Sequence, residues 1–140
     1  MDTGKIKQTE PGRRFRRVLS ASTLEGDRVM NSAGEDLGKV DDLAIDLATG
    51  RVAYLVLSYG GVLGIGNKLF AVPWGAVRID EDEKAFVLDV DKRRLEIAPG
   101  FDKDDWPDMA DPTWSAGIYE FYKTTPYTEE RASRGGGGNI

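Results

Sequence analysis

Six consecutive apolar side chains, Val52-Ala53-Tyr54-Leu55-Val56-Leu57, leave this chain few ways to fold. The run is far too short to cross a membrane. The turn signal Ala48-Thr49-Gly50 ahead of it marks one arm of a hairpin, hence a strand. As a strand it is apolar on both faces, with Val52, Tyr54 and Val56 on one and Ala53, Leu55 and Leu57 on the other. Such a strand needs cover on its outer side as well as a core on its inner side. The candidate cover lies downstream. Asp111-Pro112 reads as the cap and first turn of a helix. Trp114, Ile118 and Phe121 follow at i, i+4 and i+7, one apolar stripe about three turns long. Truncation after Gly100 is therefore expected to yield an unfolded or aggregating product.

The remaining segments are short and punctuated by turns. Residues 28–31 form a brief strand ending in the turn Asn31-Ser32-Ala33-Gly34. In residues 37–47, Leu43, Ile45 and Leu47 alternate with Ala44 and Asp46, the pattern of a half-buried strand. Val40 breaks that parity, which predicts a β-bulge at 40–42. Residues 69–72 make a strand stopped by Pro73. Residues 77–80 and 85–90 flank an acidic turn as a last hairpin. Asp91 caps a short helix that runs through Leu95 and Ile97 and stops at Pro99-Gly100. Strands this short with no long helix between them exclude a parallel α/β sheet. The expected fold class is mainly β, a small antiparallel barrel with a helical C-terminal extension. The expected organisation is a basic, flexible arm at 1–17, the barrel at 18–98, the helical extension at 99–124 and a flexible tail at 125–140.

Of the 140 residues 40% are hydrophobic and 31% charged, enough for one modest core. Cysteine and histidine are absent. That excludes disulfides, thiolate and Ser-His nucleophiles, and zinc sites built from Cys or His. The net charge of −5 is unevenly spread: residues 1–20 carry six basic and two acidic side chains, whereas residues 21–130 carry 11 basic and 22 acidic ones. So acidic a body repels phosphate backbones. Nucleic-acid contacts are expected only from Arg13, Arg14, Arg16 and Arg17, whose plainer role is a solvated lead-in. Residues 1–10 are polar, with no apolar leader, and a soluble, cytoplasmic protein is expected.

Carboxylates are the remaining catalytic candidates. Asp41 and Asp42 are neighbours on a strand and point to opposite faces; Asp80, Asp82, Asp89 and Asp91 sit at hairpin ends. Asp102, Asp104, Asp105, Asp108 and Asp111 are dense enough to hold a hard cation weakly, but caps and turns account for them as well. No catalytic residue, metal or cofactor is expected. The glycine-rich residues 60–68 match Walker spacing between Gly61 and Gly66, yet Asn67 stands at the lysine position, Lys68 stands where Ser or Thr is needed, and no helix follows. A mobile loop carrying Val62, Leu63, Ile65 and Asn67 fits better. It either folds back on its own barrel or meets a protein partner.

Three stretches resemble the PRC-barrel family, named after the photosynthetic reaction centre: Gly34-Glu35-Asp36-Leu37-Gly38-Lys39-Val40 leading into Asp46-Leu47-Ala48-Thr49-Gly50-Arg51-Val52; Gly64-Ile65-Gly66-Asn67-Lys68-Leu69-Phe70-Ala71-Val72-Pro73-Trp74; and Phe86-Val87-Leu88-Asp89-Val90 with Pro99-Gly100-Phe101 and Trp106-Pro107. The likeness spans about residues 18–122, and the extension through Trp106 and Trp114 is similar to that of stand-alone bacterial members. The resemblance implies a β-barrel used for interaction rather than catalysis, as in the cytoplasmic part of the reaction-centre H subunit and the C-terminal domain of a ribosome maturation factor. Lacking the former's transmembrane helix and the latter's second domain, this chain inherits neither role at named residues. The expected function is a non-enzymatic adaptor, self-associating with a dimer favoured, that docks on a protein partner through the 60–67 loop and neighbouring strand edges. The alternative is an RNA- or ribosome-associated assembly factor using the arginine arm. A carboxylate enzyme would instead require a deep pocket and a raised acid pKa.

Overall fold

The computed structural model describes residues 18–59, 68–83 and 85–127. The elements are α1 (Ala21–Leu24), β1 (Arg28–Met30), β2 (Asp36–Asp46), β3 (Arg51–Ser58), β4 (Lys68–Pro73), a single 3-10 turn (Trp74–Ala76), β5 (Val77–Asp80), β6 (Ala85–Leu88), α2 (Lys92–Glu96), β7 (Phe101–Asp102) and α3 (Pro112–Tyr122). The chain is mainly β. The seven strands among the described residues join one sheet in the order β5-β6-β1-β2-β3-β4-β7.

That order corrects two expectations. Five of the six ladders are antiparallel, but β1 runs parallel to β6, with Val29 opposite Phe86. Nor does the sheet close: no ladder among the described residues joins β5 to β4 or β7. It is nonetheless curled. Laid flat, β5 and β4 would stand five inter-strand spacings apart, about 24 Å. Only four peptide steps link Pro73 to Val77, a reach of at most ~15 Å. The far side of the sheet must therefore bend back toward β5. Pro73, with no N–H to offer, ends β4, and the Trp74 ring meets Phe86 edge-on with centroids 6.0 Å apart.

The bulge lies where the sequence places it. The β2–β3 register slips between Val40 and Asp42, and again between Ala44 and Ile45. Leu37 and Val40, three residues apart, are both buried because a separate slip in the β1–β2 register, between Val29 and Met30, leaves Leu37 as the extra residue of β2. Beyond the bulge the expected alternation fails: Leu43 is half-buried, Ile45 is 47% exposed and Leu47 91% exposed. β1 pairs only with the first residues of β2, so the far end of the β2–β3 hairpin has no described strand on that side. Gly38, at φ +127°, sits where a Cβ would lie 2.2 Å from the Ser58 carbonyl oxygen, so β2 and β3 approach this closely only over glycine.

Tyr54, Leu55, Val56 and Leu57 are all buried, the two-faced burial expected of β3. The cover is α3. Asp111 caps it by accepting the Thr113 N–H at 3.0 Å, Pro112 opens its first turn, and the helix packs against β4. Trp114 meets the Tyr54 ring edge-on at 5.4 Å, and Ile118 and Tyr122 are buried in the core. The stripe thus runs through Tyr122. Phe121 stays half-buried one position aside, under the Arg94 guanidinium, which lies 4.1 Å from its ring centroid and donates to its carbonyl at 2.7 Å.

Candidate interaction surface

The expected contact residues Val62, Leu63, Ile65 and Asn67 lie outside the described residues, as do Arg13, Arg14, Arg16 and Arg17. The described flanks of the 60–67 segment are firmly held. At the end of β3, the Tyr59 hydroxyl donates to Glu96 Oε2 at 3.1 Å, and its ring lies 6.3 Å from Phe70. Burial, then the Glu96 carboxylate, push the Tyr59 phenol above its ordinary pKa. At the start of β4, Lys68 lies opposite Asp102 in the ladder and its Nζ stands 5.8 Å from the Phe70 ring centroid.

Around these flanks apolar surface faces water. Ile97, just past α2, is 73% exposed. Trp106 is 40% exposed, held edge-on to Phe101 at 5.1 Å, its indole N–H donating to the Lys103 carbonyl at 2.9 Å. Gly100 lets this segment cross β4: a Cβ there would stand 2.9 Å from the Leu69 carbonyl oxygen. Glu96, Asp102, Asp104 and Asp105, all exposed, give the same end an acidic fringe.

Several of the other acids do local backbone work. Asp36, Asp42, Asp46, Asp80 and Asp108 each accept a backbone N–H one to three residues ahead, and Asp91 caps α2 through the Arg94 N–H at 2.9 Å. Among the described residues no three acidic side chains converge as a cation site would require. Burial raises the Asp27 carboxyl above the ordinary carboxylate value.

Three long-range contacts are invisible in the sequence pattern. Asn31, buried, accepts the Ala33 and Glu35 N–H groups while donating to Glu35 Oε1 at 2.7 Å and the Val90 carbonyl at 3.1 Å, tying the β1–β2 turn to the end of β6. Arg94 ties α2 to α3. Tyr127, in the stretch expected to be a loose tail, donates to Asp46 and stacks under Arg51, 4.3 Å from its ring centroid. The Tyr127 hydrogen bond holds the Asp46 carboxyl below its ordinary pKa, while burial and Asp46 raise Tyr127.

The model of the PRC-barrel domain matches residues 16–95, more than half of the chain. The chain belongs to the PRC-barrel family. Within the matched PRC-barrel region the glycine turn at Gly34, the Gly38 crossing and the β2–β3 hairpin build the first half of the sheet, and β4 with its Pro73-Trp74 ending turns the chain into β5. The match stops at Leu95, which is fully buried. β7 and α3 follow it, yet Ile118 and Tyr122 share the same core. No curated protein matches the chain. Among the described residues no helix is long and apolar enough to cross a membrane.

Proposed function

We propose that this PRC-barrel chain is a non-enzymatic docking module of the bacterial cytoplasm. It self-associates as a dimer and holds a protein partner through residues 60–67 and the surface at their root. The supporting observation is the placement of Ile97 and Trp106, both well exposed, at the end of the sheet from which that segment departs, next to Tyr59 and Lys68. Exposed apolar groups gathered at one end and rimmed by charge are the usual mark of a protein contact.

The test is a pair of variants in the full chain. Leu63→Asp with Ile65→Asp, and separately Ile97→Asp, should reduce partner capture while leaving the circular dichroism spectrum unchanged. Unaltered capture in both would make this end of the molecule merely structural. Salt-dependent RNA binding by the intact chain, lost on deleting residues 1–17, would replace the docking module with the RNA-associated alternative.

A further inference from the structure

β5 borders the sheet on one side. Among the described residues its only ladder is to β6, and no strand lies beyond it. Residues paired across a ladder share a face. Val77 lies opposite Leu88 and Ile79 opposite Phe86, so both point to the side where Leu88 and Phe86 join the core. Val77 is half-buried there, but Ile79 is 57% exposed although Phe86 is buried. An apolar side chain on the core side of a sheet, more than half in water, is what remains where a neighbouring strand is missing. At the other border β7 is only two residues long, and the chain folds over it through the bridge between Asp102 and Asp105.

The charges beside Ile79 say what the missing neighbour is. Natural edge strands are commonly guarded by a charge that repels a second strand. Here Arg78 and Asp80 flank Ile79 with opposite signs and are paired with Val87 and Ala85 on the other face. In an antiparallel pairing of β5 with itself about a two-fold axis at Ile79, each Arg78 meets the second copy's Asp80, and the two Ile79 side chains meet each other. Arg78 already donates to the Ser32 hydroxyl at 3.3 Å, which donates to Asp89 at 2.8 Å. That contact orients the guanidinium and leaves further N–H donors for a carboxylate. Asp80 is fixed through Oδ1, which accepts the Asp82 and Glu83 N–H groups.

Resting on the self-association proposed above, we infer that two copies of this chain dimerise edge to edge through β5, with Arg78 of each copy paired to Asp80 of the other. The contact is short, which places it among small, concentration-dependent interfaces. The register makes a charge-swap test decisive. In the full chain, Arg78→Glu alone sets the introduced carboxylate against the second copy's Asp80, twice per dimer. Asp80→Arg alone sets the introduced guanidinium against the second copy's Arg78, again twice. An equimolar mixture of the two single variants pairs every charge with its opposite.

Sedimentation equilibrium should show dimerisation weakened about tenfold in each single variant and restored in the mixture. Thermal melts establish that each variant is folded. Should Asp80→Arg melt early because Asp80 also holds its turn, Ile79→Lys gives the same readout by opposing two ammonium groups at the axis. Folded single variants that dimerise like wild type would overturn the β5 pairing and leave self-association standing on another surface. A mixture of folded variants that stays monomeric would overturn the register, and a monomeric wild type would remove self-association and β5 pairing together.

Discussion

Replacing Gly38 with alanine should damage the sheet more than any other single methyl group added at a described glycine. The backbone there has φ +127°, a conformation that costs a residue with a Cβ about 1–3 kcal/mol. The new methyl would also lie 2.2 Å from the Ser58 carbonyl oxygen and 3.2 Å from Leu57 Cδ1. A carbon needs roughly 1 Å more room from a carbonyl oxygen. β2 must therefore move away from β3 beside the Lys39–Ser58 pair. Stretching one buried ladder bond adds about 1–3 kcal/mol. The total is about 2–6 kcal/mol, a large part of the ~5–15 kcal/mol that holds a typical domain. Gly34→Ala is the matched control. Its φ is +87° but a Cβ there meets nothing within 4 Å, so only the backbone strain, about 1–2 kcal/mol, applies. Urea unfolding followed by tryptophan fluorescence measures both. A Gly38→Ala cost no greater than that of Gly34→Ala would refute the close crossing of β2 over β3.

Other outcomes test the cover and the tyrosines. Ile118→Ala removes a buried anchor of α3 and should cost about 2–5 kcal/mol in the same assay; a cost under about 1 kcal/mol would mean α3 does not seal the sheet. Tyr122→Phe should be neutral or stabilising, because the buried Tyr122 hydroxyl has no hydrogen-bond partner among the described residues. A clear loss of stability would reveal a partner. Burial raises the phenols of Tyr54, Tyr59, Tyr122 and Tyr127 above their ordinary value. A raised folded-state pKa contributes stability that is complete below pH ~10 and is lost as pH climbs through the folded values. Melting temperature should accordingly fall above pH ~10, in step with tyrosinate absorbance. A melting temperature that stays level while the tyrosines ionise would contradict that linkage.

The local grammar of the fold was legible in the sequence, because each signal acts within a few residues. Asp91 and Asp111 cap the helices they announce, Val40–Asp42 carries its bulge, and residues 47–50 turn the hairpin. Pairings between distant segments were not. Nothing local in Arg28–Met30 says that it will lie parallel to Ala85–Leu88, since that depends on how the curled sheet brings the chain back. Ile45 and Leu47 alternate as a buried face should, yet burial also needs a neighbour, and β1 is too short to provide one. Helical spacing alone could not choose between Phe121 and Tyr122, because Arg94, distant in sequence, draws Phe121 to the rim. The interaction surface was half legible. The apolar 60–67 segment stands out by composition, whereas the exposure of Ile97, Trp106 and Ile79 follows only from where the elements end.

The docking proposal is most directly tested by the light-scattering mass of the purified full chain over a dilution series at moderate salt. A self-associating PRC-barrel module should approach twice the chain mass at high concentration and fall toward the monomer on dilution. A mass that stays at one chain up to the highest attainable concentration would contradict it.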